Sequence, residues 1–586
     1  MLHLSSSTAA ADWLRARGAR ALRTDHRQVR PGDAFLAWPG RSHDARRHAG
    51  SALAAGAAAC LMEAGELAQV VLPANDERLA CLDDLKRQAG GVADEFWGHP
   101  SQALDVVAVT GTNGKTSCTW WVAQALTLLG RPCGVVGTLG VGDPFTSAAR
   151  DSAAPAGTSA FESTGLTTPD AVALQAAFRQ FADGGLKACA FEASSIGIVE
   201  HRLGGTALSV AAFTNLTQDH LDFHGTMVAY GTAKRALFDM PGLKAAVLNV
   251  DDAQGRAWAA ELATQPGLAL WTVSVQSPEE GLQASAQAGS TVATPPVAAT
   301  APAVLAAAHL YVRQVRHTPE GLDMLLCEQG GAGLVGPAQP VRTALIGAFN
   351  VENLLVVAGC LRALGTPLEE VARVLGQLSP VPGRLQRVSA AGVAAQPAVV
   401  VDYAHTPDAL DKALQALAPL AAARGGQLWC VFGCGGDRDA TKRPLMGRVA
   451  VQGAAHTVVT SDNPRSEDPD RILAQVMQGA REQLQAARGT ARGTARETAR
   501  ESNPKAALEA VAPLSLTALA DRRAAIQHAV WRAAPADVVL IAGKGHEQTQ
   551  EIAGAKHPFC DVAEAEAALA QRADGVQPVF PVEAQP

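Results

Sequence analysis

The 586-residue chain lacks an excess of positive charge: 49 Lys and Arg stand against 56 Asp and Glu, a formal net charge of −7. No basic patch dominates and the arginines are spread among alanines and acids, which argues against a nucleic-acid protein but leaves room for a local cation cluster that binds small anions. Paired cysteines are also missing. The ten cysteines are scattered with no CxxC, and the closest two, Cys430 and Cys434, have a spacing that fits neither a zinc knuckle nor a thioredoxin site. Buried free thiols in a reducing compartment are expected. No uninterrupted apolar run reaches the roughly 20 residues that span a bilayer. The first residues, Met1-Leu-His-Leu-Ser-Ser-Ser-Thr8, show no basic segment followed by an apolar core. A cytoplasmic protein without membrane insertion is expected, and a monomer.

The length predicts about three domains. Residues 1–100 alternate short apolar runs (Ala34–Trp38, Ala58–Met62) with alanine-rich helical stretches and a turn at Arg30-Pro-Gly-Asp33, a small α/β unit. Over 101–381 the strands become continuous β-branched runs, such as Val106–Val109 and Ala246–Val250, separated by helices, as in a parallel sheet covered on both faces. A third α/β unit, 382–586, offers strands at Val399–Asp402, Leu428–Phe432, Thr457–Thr460 and Val538–Ala542. Each runs straight into a polar, Gly- or Asp-rich loop, and ligands of open α/β sheets bind at such carboxyl ends. Two segments read as additions: 275–305, rich in Ala, Pro, Ser and Thr, and the Ala-Arg-Gly-Thr repeat at 487–502, a solvated helix or a disordered insertion.

The most informative stretch is Val107-Ala-Val-Thr-Gly-Thr-Asn-Gly-Lys-Thr-Ser117, a strand entering a glycine-bounded loop and then a helix. It predicts a nucleotide phosphate site. Gly111 and Gly114 let the N–H groups of Thr112 and Asn113 approach a triphosphate. Lys115 supplies charge for the β/γ-phosphates, Thr116 a hydroxyl for Mg²⁺, and Ser117 opens the helix. The strict Walker pattern has a glycine where this chain has Val109.

Nine loops in order carry a family resemblance: Thr110–Ser117, Glu192-Ala-Ser-Ser195, Asn215–Asp222, Asn350-Val-Glu-Asn353, Pro382-Gly-Arg384, Asp402–Pro407, Gly433–Asp439, Asp462-Asn-Pro-Arg465 and Gly543-Lys-Gly-His-Glu547. Together they resemble the Mur ligases, the ATP-dependent amino-acid-adding enzymes of peptidoglycan precursor synthesis, and among them the member that adds the third residue. The resemblance implies a UDP-muramyl-binding first domain, a central ATPase and a C-terminal Rossmann-like domain that brings the amino acid. The implied reaction joins meso-2,6-diaminopimelate to UDP-N-acetylmuramoyl-L-alanyl-D-glutamate through an acyl phosphate.

Phosphoryl transfer to a carboxylate brings two anions together, so cations must stand between them. The resemblance assigns two Mg²⁺ ions, one to Thr116 and Glu192, the other to His220 and to Lys234 as a CO₂-derived carbamate, which turns a cation into an oxygen ligand. An ordinary surface lysine at 234, and zinc at His220 and His224, are the alternatives. Asn350 and Asn353 are implied at the adenine, or are helix caps. Arg384 and Asp402 are implied near phosphate and ribose. For the muramyl peptide the matches are Thr167, Thr168, Ser194 and Arg202, with Glu200 where a glutamine is common and Ile196 where a histidine is. For the uridine end they are His26, in place of serine, with Arg41, Ser42 and His43. Diaminopimelate falls to Arg438, Asp462, Asn463, Pro464, Arg465, Gly543 and Glu547: a buried Arg465 fork for the distal carboxylate, Glu547 for the ammonium. An Asn-Pro turn with a solvated arginine is the alternative for Asp462–Arg465. Lysine addition, a folylpolyglutamate synthetase and a non-catalytic nucleotide-dependent interaction protein are the competing functions; the second would lack the Asp462–Arg465 and Gly543–Glu547 pair, and the third needs a broken catalytic loop.

Overall fold

The structure is a computed structural model that describes the chain except residues 41–42, 68–69, 71, 73–75, 146–160, 163, 278–307, 319–320, 331–334, 389–395, 499–514 and 576–586. It is α/β throughout, built on three main sheets. The described residues form two compact units: Met1–Gln314 with Met324–Val341 and Glu352–Leu378, and Val315–Asp323 with Arg342–Val351 and Ser379–Pro586.

In the first unit, an all-parallel sheet orders its strands Leu2–Leu4, Leu79–Leu82, Ala59–Glu63, Asp33–Ala37 and Ala21–Arg23. Asp33–Ala37 is buried at every position because helices cover both faces. Ala34 and Leu36 enter one apolar cluster, Phe35 and Ala37 the other, the two-residue alternation of a strand.

The same unit holds the strands β1 (Asp105–Thr110), β2 (Cys133–Gly137), β3 (Ala188–Glu192), β4 (Val210–Phe213), β5 (Ala245–Asn249) and β6 (Ala269–Ser274), parallel in the order β2-β3-β1-β4-β5-β6 within an eleven-stranded sheet. The chain winds from β1 out to β2 and back to β3, then crosses to β4 on the far side. β1 is therefore the topological switch point, where open α/β sheets leave a crevice beyond their strand ends. Helix α1 (Lys115–Leu128) leaves from the end of β1, and helix α2 (Met227–Arg235) lies between β4 and β5 in sequence.

In the second unit, the strands β7 (Ala398–Asp402), β8 (Leu428–Cys434), β9 (His456–Ser461) and β10 (Val538–Ala542) pair in parallel in the order β7-β10-β8-β9. Gln386–Val388 adds an antiparallel edge and Ser515–Leu519 a parallel one. Val400, Phe432 and Leu540 face one apolar cluster, and Val399, Val431 and Ile541 the other. The Ala-Arg-Gly-Thr repeat begins inside the helix Pro469–Thr498 and is helical as far as Thr498. Most of the 275–305 insertion lies outside the described residues. All ten cysteines are free and nine are buried. No described helix is long and apolar enough to cross a membrane.

Candidate active site

At the end of β1 the chain turns at Gly111 and Gly114, both at positive φ (147° and 85°). A Cβ on Gly111 would stand 1.9 Å from Thr214 Oγ1, and one on Gly114 would stand 2.3 Å from Asn353 Oδ1, so neither position accepts a side chain. The loop is braced from β4. Thr112 N–H donates to Asn215 O (2.8 Å), Asn113 N–H to Asn215 Oδ1 (2.9 Å), and Thr214 Oγ1 to Asn113 O (2.6 Å). Lys115 Nζ is folded back onto the carbonyls of Gly111 and Thr112 at 2.9 and 2.8 Å, which places the charge over the mouth of the loop. Asn353 therefore belongs to the wall of the phosphate loop. Asn350, by contrast, donates from Nδ2 to Ile346 O, four residues back (2.7 Å).

Glu192 ends β3, beside the loop, and is 2 % exposed. Its Oε2 accepts from Thr116 Oγ1 (3.0 Å) and Thr138 Oγ1 (3.3 Å), and its Oε1 accepts from Thr138 N–H (2.7 Å). Thr116 and Glu192 thus bring a hydroxyl and a carboxylate together at the strand ends, two hard oxygen donors. No group of three or more His, Cys, Asp or Glu that could hold a metal occurs among the described residues. Such a donor pair suits Mg²⁺, which binds through one or two carboxylates and keeps waters and substrate phosphates for the rest of its shell.

Lys234 is no surface lysine. It is 1 % exposed, donates from Nζ to Gly111 O (2.7 Å) and lies 4.4 Å over the Tyr230 ring. No carboxylate pairs with it among the described residues. Burial, reinforced by Lys115 and only partly opposed by Asp219, holds its amine well below the ordinary lysine range. Tyr230 precedes it by one helical turn of α2 and meets Thr112 Oγ1 at 3.2 Å, so the phenol and the amine brace the loop from one helix face. Burial pushes that phenol up to about 12. His220, at φ 52°, is exposed, with its ring edge-on to Tyr230 at 6.3 Å and Nε2 3.5 Å from Asp219. His224 Nε2 meets Ser195 Oγ at 2.9 Å.

Thr167, Thr168, Ser194 and Arg202 come together around the root of Glu192. Thr168 Oγ1 donates to Glu192 O (2.7 Å) and lies 2.8 Å from Ser194 Oγ, Arg202 Nη1 donates to Thr168 O (2.8 Å), and Thr167 Oγ1 is 3.2 Å from Thr138 Oγ1. Glu200, the departure from glutamine, is ion-paired with Lys86 of the N-terminal helix Leu85–Phe96, which offsets the carboxylate charge. In the N-terminal sheet unit, His26 stacks on His48 at 3.9 Å and His43 Nε2 meets His48 Nε2 at 2.8 Å. Arg41 and Ser42 lie outside the described residues.

The second unit gathers its own constellation at strand ends. Arg384 stacks on Tyr403 (4.7 Å), and Asp402 accepts N–H groups from Leu385 and Ala404, each at 2.8 Å. Burial pushes the Asp402 carboxyl up, against the pull of Arg384. Gly543 N–H donates to Asp402 O (3.1 Å), joining the ends of β7 and β10. Asp462-Asn-Pro-Arg465 follows β9 and is tied to the strand Thr549–Ile552: Gln550 Nε2 donates to Asp462 O (2.6 Å), and Arg465 N–H to Glu551 O (3.0 Å). Arg465, at φ 53°, is partly exposed rather than buried. Its Nη1 donates to Gly436 O (2.7 Å) and Nε faces Glu551 at 3.8 Å, while Nη2 makes no hydrogen bond among the described residues. This fixed arginine departs from a solvated side chain after an Asn-Pro turn, because the carbonyl of Gly436 holds it. Arg438 is exposed. Sequence reasoning passed over Thr138, Tyr230, Lys86 and Lys544; only the one-turn spacing of Tyr230 from Lys234 signalled any of them.

A phosphate loop at the switch point, flanked by a buried glutamate and a buried lysine, defines a nucleotide-phosphate class of site. The family comparisons agree: the Mur ligase middle domain matches residues 109–361, and the Mur ligase glutamate ligase domain matches residues 383–545. The chain belongs to the Mur ligase family. It is 47 % identical over 576 residues to a UDP-N-acetylmuramoyl-L-alanyl-D-glutamate--2,6-diaminopimelate ligase of Acidovorax sp. (strain JS42), covering 97 % of this chain and 98 % of that one. It is 42 % identical to the protein of the same name from Pseudomonas aeruginosa, covering 94 % and 95 %. A solved structure of a ligase of that name matches with TM-score 0.58 at 30 % identity, covering 94 % and 95 %.

Proposed function

We propose that this protein uses ATP to join meso-2,6-diaminopimelate to UDP-N-acetylmuramoyl-L-alanyl-D-glutamate, as its relatives' names describe, and does so in the cytoplasm. The observation that carries the reading is the phosphate loop at the end of β1 with the oxygen pair Thr116 and Glu192 and the buried amine of Lys234 gathered against it. The D-glutamyl carboxylate attacks the γ-phosphorus, releasing ADP and forming an acyl phosphate. The amine of the incoming amino acid then adds to the carbonyl carbon, and the tetrahedral species expels phosphate as the amine gives up a proton.

Lys115 leaves the loop carbonyls for the β/γ-phosphates. Thr116 and Glu192 would hold one Mg²⁺. His220 and a carbamate on Lys234 would hold a second. Bound Mg²⁺ supplies positive charge that shields the phosphates from the attacking carboxylate. Carbamylation needs a neutral amine to attack CO₂, with loss of a proton, and the environment of Lys234 favours that form. Thr167, Thr168, Ser194 and Arg202 orient the muramyl peptide, and Arg384, Asp402, Asn350 and Asn353 serve the nucleotide. His26 and His43, with Arg41 and Ser42, serve the uridine end. Arg465 offers Nη2 to the distal carboxylate of diaminopimelate, Glu547 takes its ammonium, and Asp462, Asn463, Pro464 and Gly543 shape the pocket. Arg438 adds a cation only from the solvent side.

The test is phosphate release from ATP with the UDP-dipeptide and either meso-diaminopimelate or L-lysine. Release should require diaminopimelate. Comparable rates on L-lysine would reassign the chain to the lysine-adding form, and no release with either would remove the ligase reading.

A further inference from the structure

Lys544 lies in the loop Gly543–Glu547, yet its side chain is wholly buried. Its Nζ donates to Asn463 Oδ1 (3.0 Å) and Glu547 Oε2 (2.8 Å), and Asp462 Oδ1, which has no hydrogen-bond partner among the described residues, lies 3.8 Å away. The lysine thus reaches from one strand-end loop into the other. Its effect on Asn463 is directional. Asn463 Oδ1 accepts both from Lys544 and from Glu551 N–H (3.0 Å), so the amide cannot flip without setting donor against donor. Nδ2 is left to donate, and it does so to Glu547 Oε2 at 2.8 Å. Glu547 Oε2 therefore holds two partners, while Oε1 has no hydrogen bond among the described residues.

Beneath the loops a second buried cation fixes their roots. Arg522 and Asp561 form an ion pair at 2.7 Å with both side chains wholly buried. The same guanidinium donates to Ser461 O (3.3 Å) and Ala542 O (2.9 Å), the last residues before Asp462 and Gly543. With both roots pinned, the geometry inside the loops is set by Lys544.

We propose that Lys544 is a positioning residue of the amino-acid site, fixing Asn463 and Glu547 so that Glu547 Oε1 is turned to the ammonium group of the incoming amino acid. This rests on the function proposed above and adds a residue to it. A half-buried carboxylate with no cation would drift toward its protonated form, which no longer accepts from an ammonium as strongly. Burial alone would push Glu547 up, but Lys544, by charge and hydrogen bond, Asn463 and His546 bring it below the ordinary glutamate range. The other charged or titratable groups facing this cluster are Asp462, Arg522 and Tyr403.

The experiment compares full-length wild type, Lys544→Met, Glu547→Gln and the double variant in steady-state phosphate release, varying diaminopimelate and ATP separately and repeating the diaminopimelate series across pH. Lys544→Met should raise the diaminopimelate KM about 10²-fold, with the ATP KM changed less than about 2-fold, since only the amino-acid contact is lost. The double variant should be no worse than Glu547→Gln, because the lysine acts through that glutamate. The acid limb of kcat/KM for diaminopimelate should move to higher pH in Lys544→Met. Equal rises in both KM values, additive losses in the double variant, or an unmoved acid limb would each overturn the proposal. Should Lys544→Met fail to fold, the wild-type limb decides: a limb below the ordinary glutamate range supports the role, and one at or above it defeats the role. A wild type that releases no phosphate with diaminopimelate overturns the functional reading itself, and this proposal with it.

Discussion

Replacing Lys234 with methionine should uncouple stability from activity, and the pH dependence of the difference can be worked out from the structure. The side chain is 1 % exposed, and its amine is held well below the ordinary lysine range by burial and by Lys115. Between the folded and the unfolded pKa, the unfolded chain binds one proton at this site that the folded chain does not. Stability therefore rises with pH across that window, at about 1.4 kcal/mol per pH unit, and falls as pH drops toward the folded pKa. Methionine has similar length and nothing to protonate, so the variant lacks this slope. It gives up one hydrogen bond to Gly111 O, worth about 1 kcal/mol, and that carbonyl keeps Lys115 Nζ at 2.9 Å. In CO₂-free buffer, urea unfolding of both proteins at pH 8, 8.5 and 9 should show the wild-type-minus-variant stability climbing at about that rate, because all other titrations cancel in the difference. Ligation by the variant should nonetheless fall by about 10²-fold or more, and short carboxylic acids should partly rescue Lys234→Ala by restoring the missing oxygen ligand. A flat stability difference would mean that Lys234 is protonated when folded, and the reasoning that makes it the CO₂-reactive amine would fail. Full activity in the variant would dismiss the carbamate.

Lys115→Ala removes the charge held over the loop mouth and should lower turnover about 10²-fold or more at saturating ATP, while thermal unfolding is nearly unchanged; a near-normal turnover would contradict the assignment. Arg465→Ala should raise the diaminopimelate KM by about 30-fold, near 2 kcal/mol, at the lower end for a charge pair because the guanidinium is partly exposed. Activity indifferent to this change, measured side by side with L-lysine, would refute the specificity. Asp561→Asn leaves Arg522 buried without its counter-charge and should cost about 3–5 kcal/mol in urea unfolding of the full chain; an unchanged midpoint would show that the pair does not hold the strand ends.

The phosphate loop was legible because its signal is local: a strand, two glycines, Lys115 and a helix lie within a dozen residues. The missing Walker glycine has a structural reason, since Val109 is still inside β1 and pairs with Glu192 of β3, so the turn begins only at Gly111. The ends of β7 to β10 were legible for a similar reason, each strand running straight into a polar loop. What escaped were long-range partners. The partner of Glu200, Lys86, comes from the N-terminal helix Leu85–Phe96, and the partner of Glu192, Thr138, is far away in sequence. Arg438, carried over with its motif Gly433–Asp439, is exposed. Lys544 was quoted inside its motif yet passed over, because a loop lysine reads as solvated until a second loop closes over it. Scarcity carried information too. The chain has only three tyrosines, and two of them lie under cationic side chains, Tyr230 of α2 under the Lys234 amine and Tyr403, just past β7, under Arg384. An aromatic face favours a cation, yet burial and Lys115 still hold Lys234 low. At Lys234 desolvation outweighs the ring, and that balance lowers the amine's hold on a proton next to the phosphate loop.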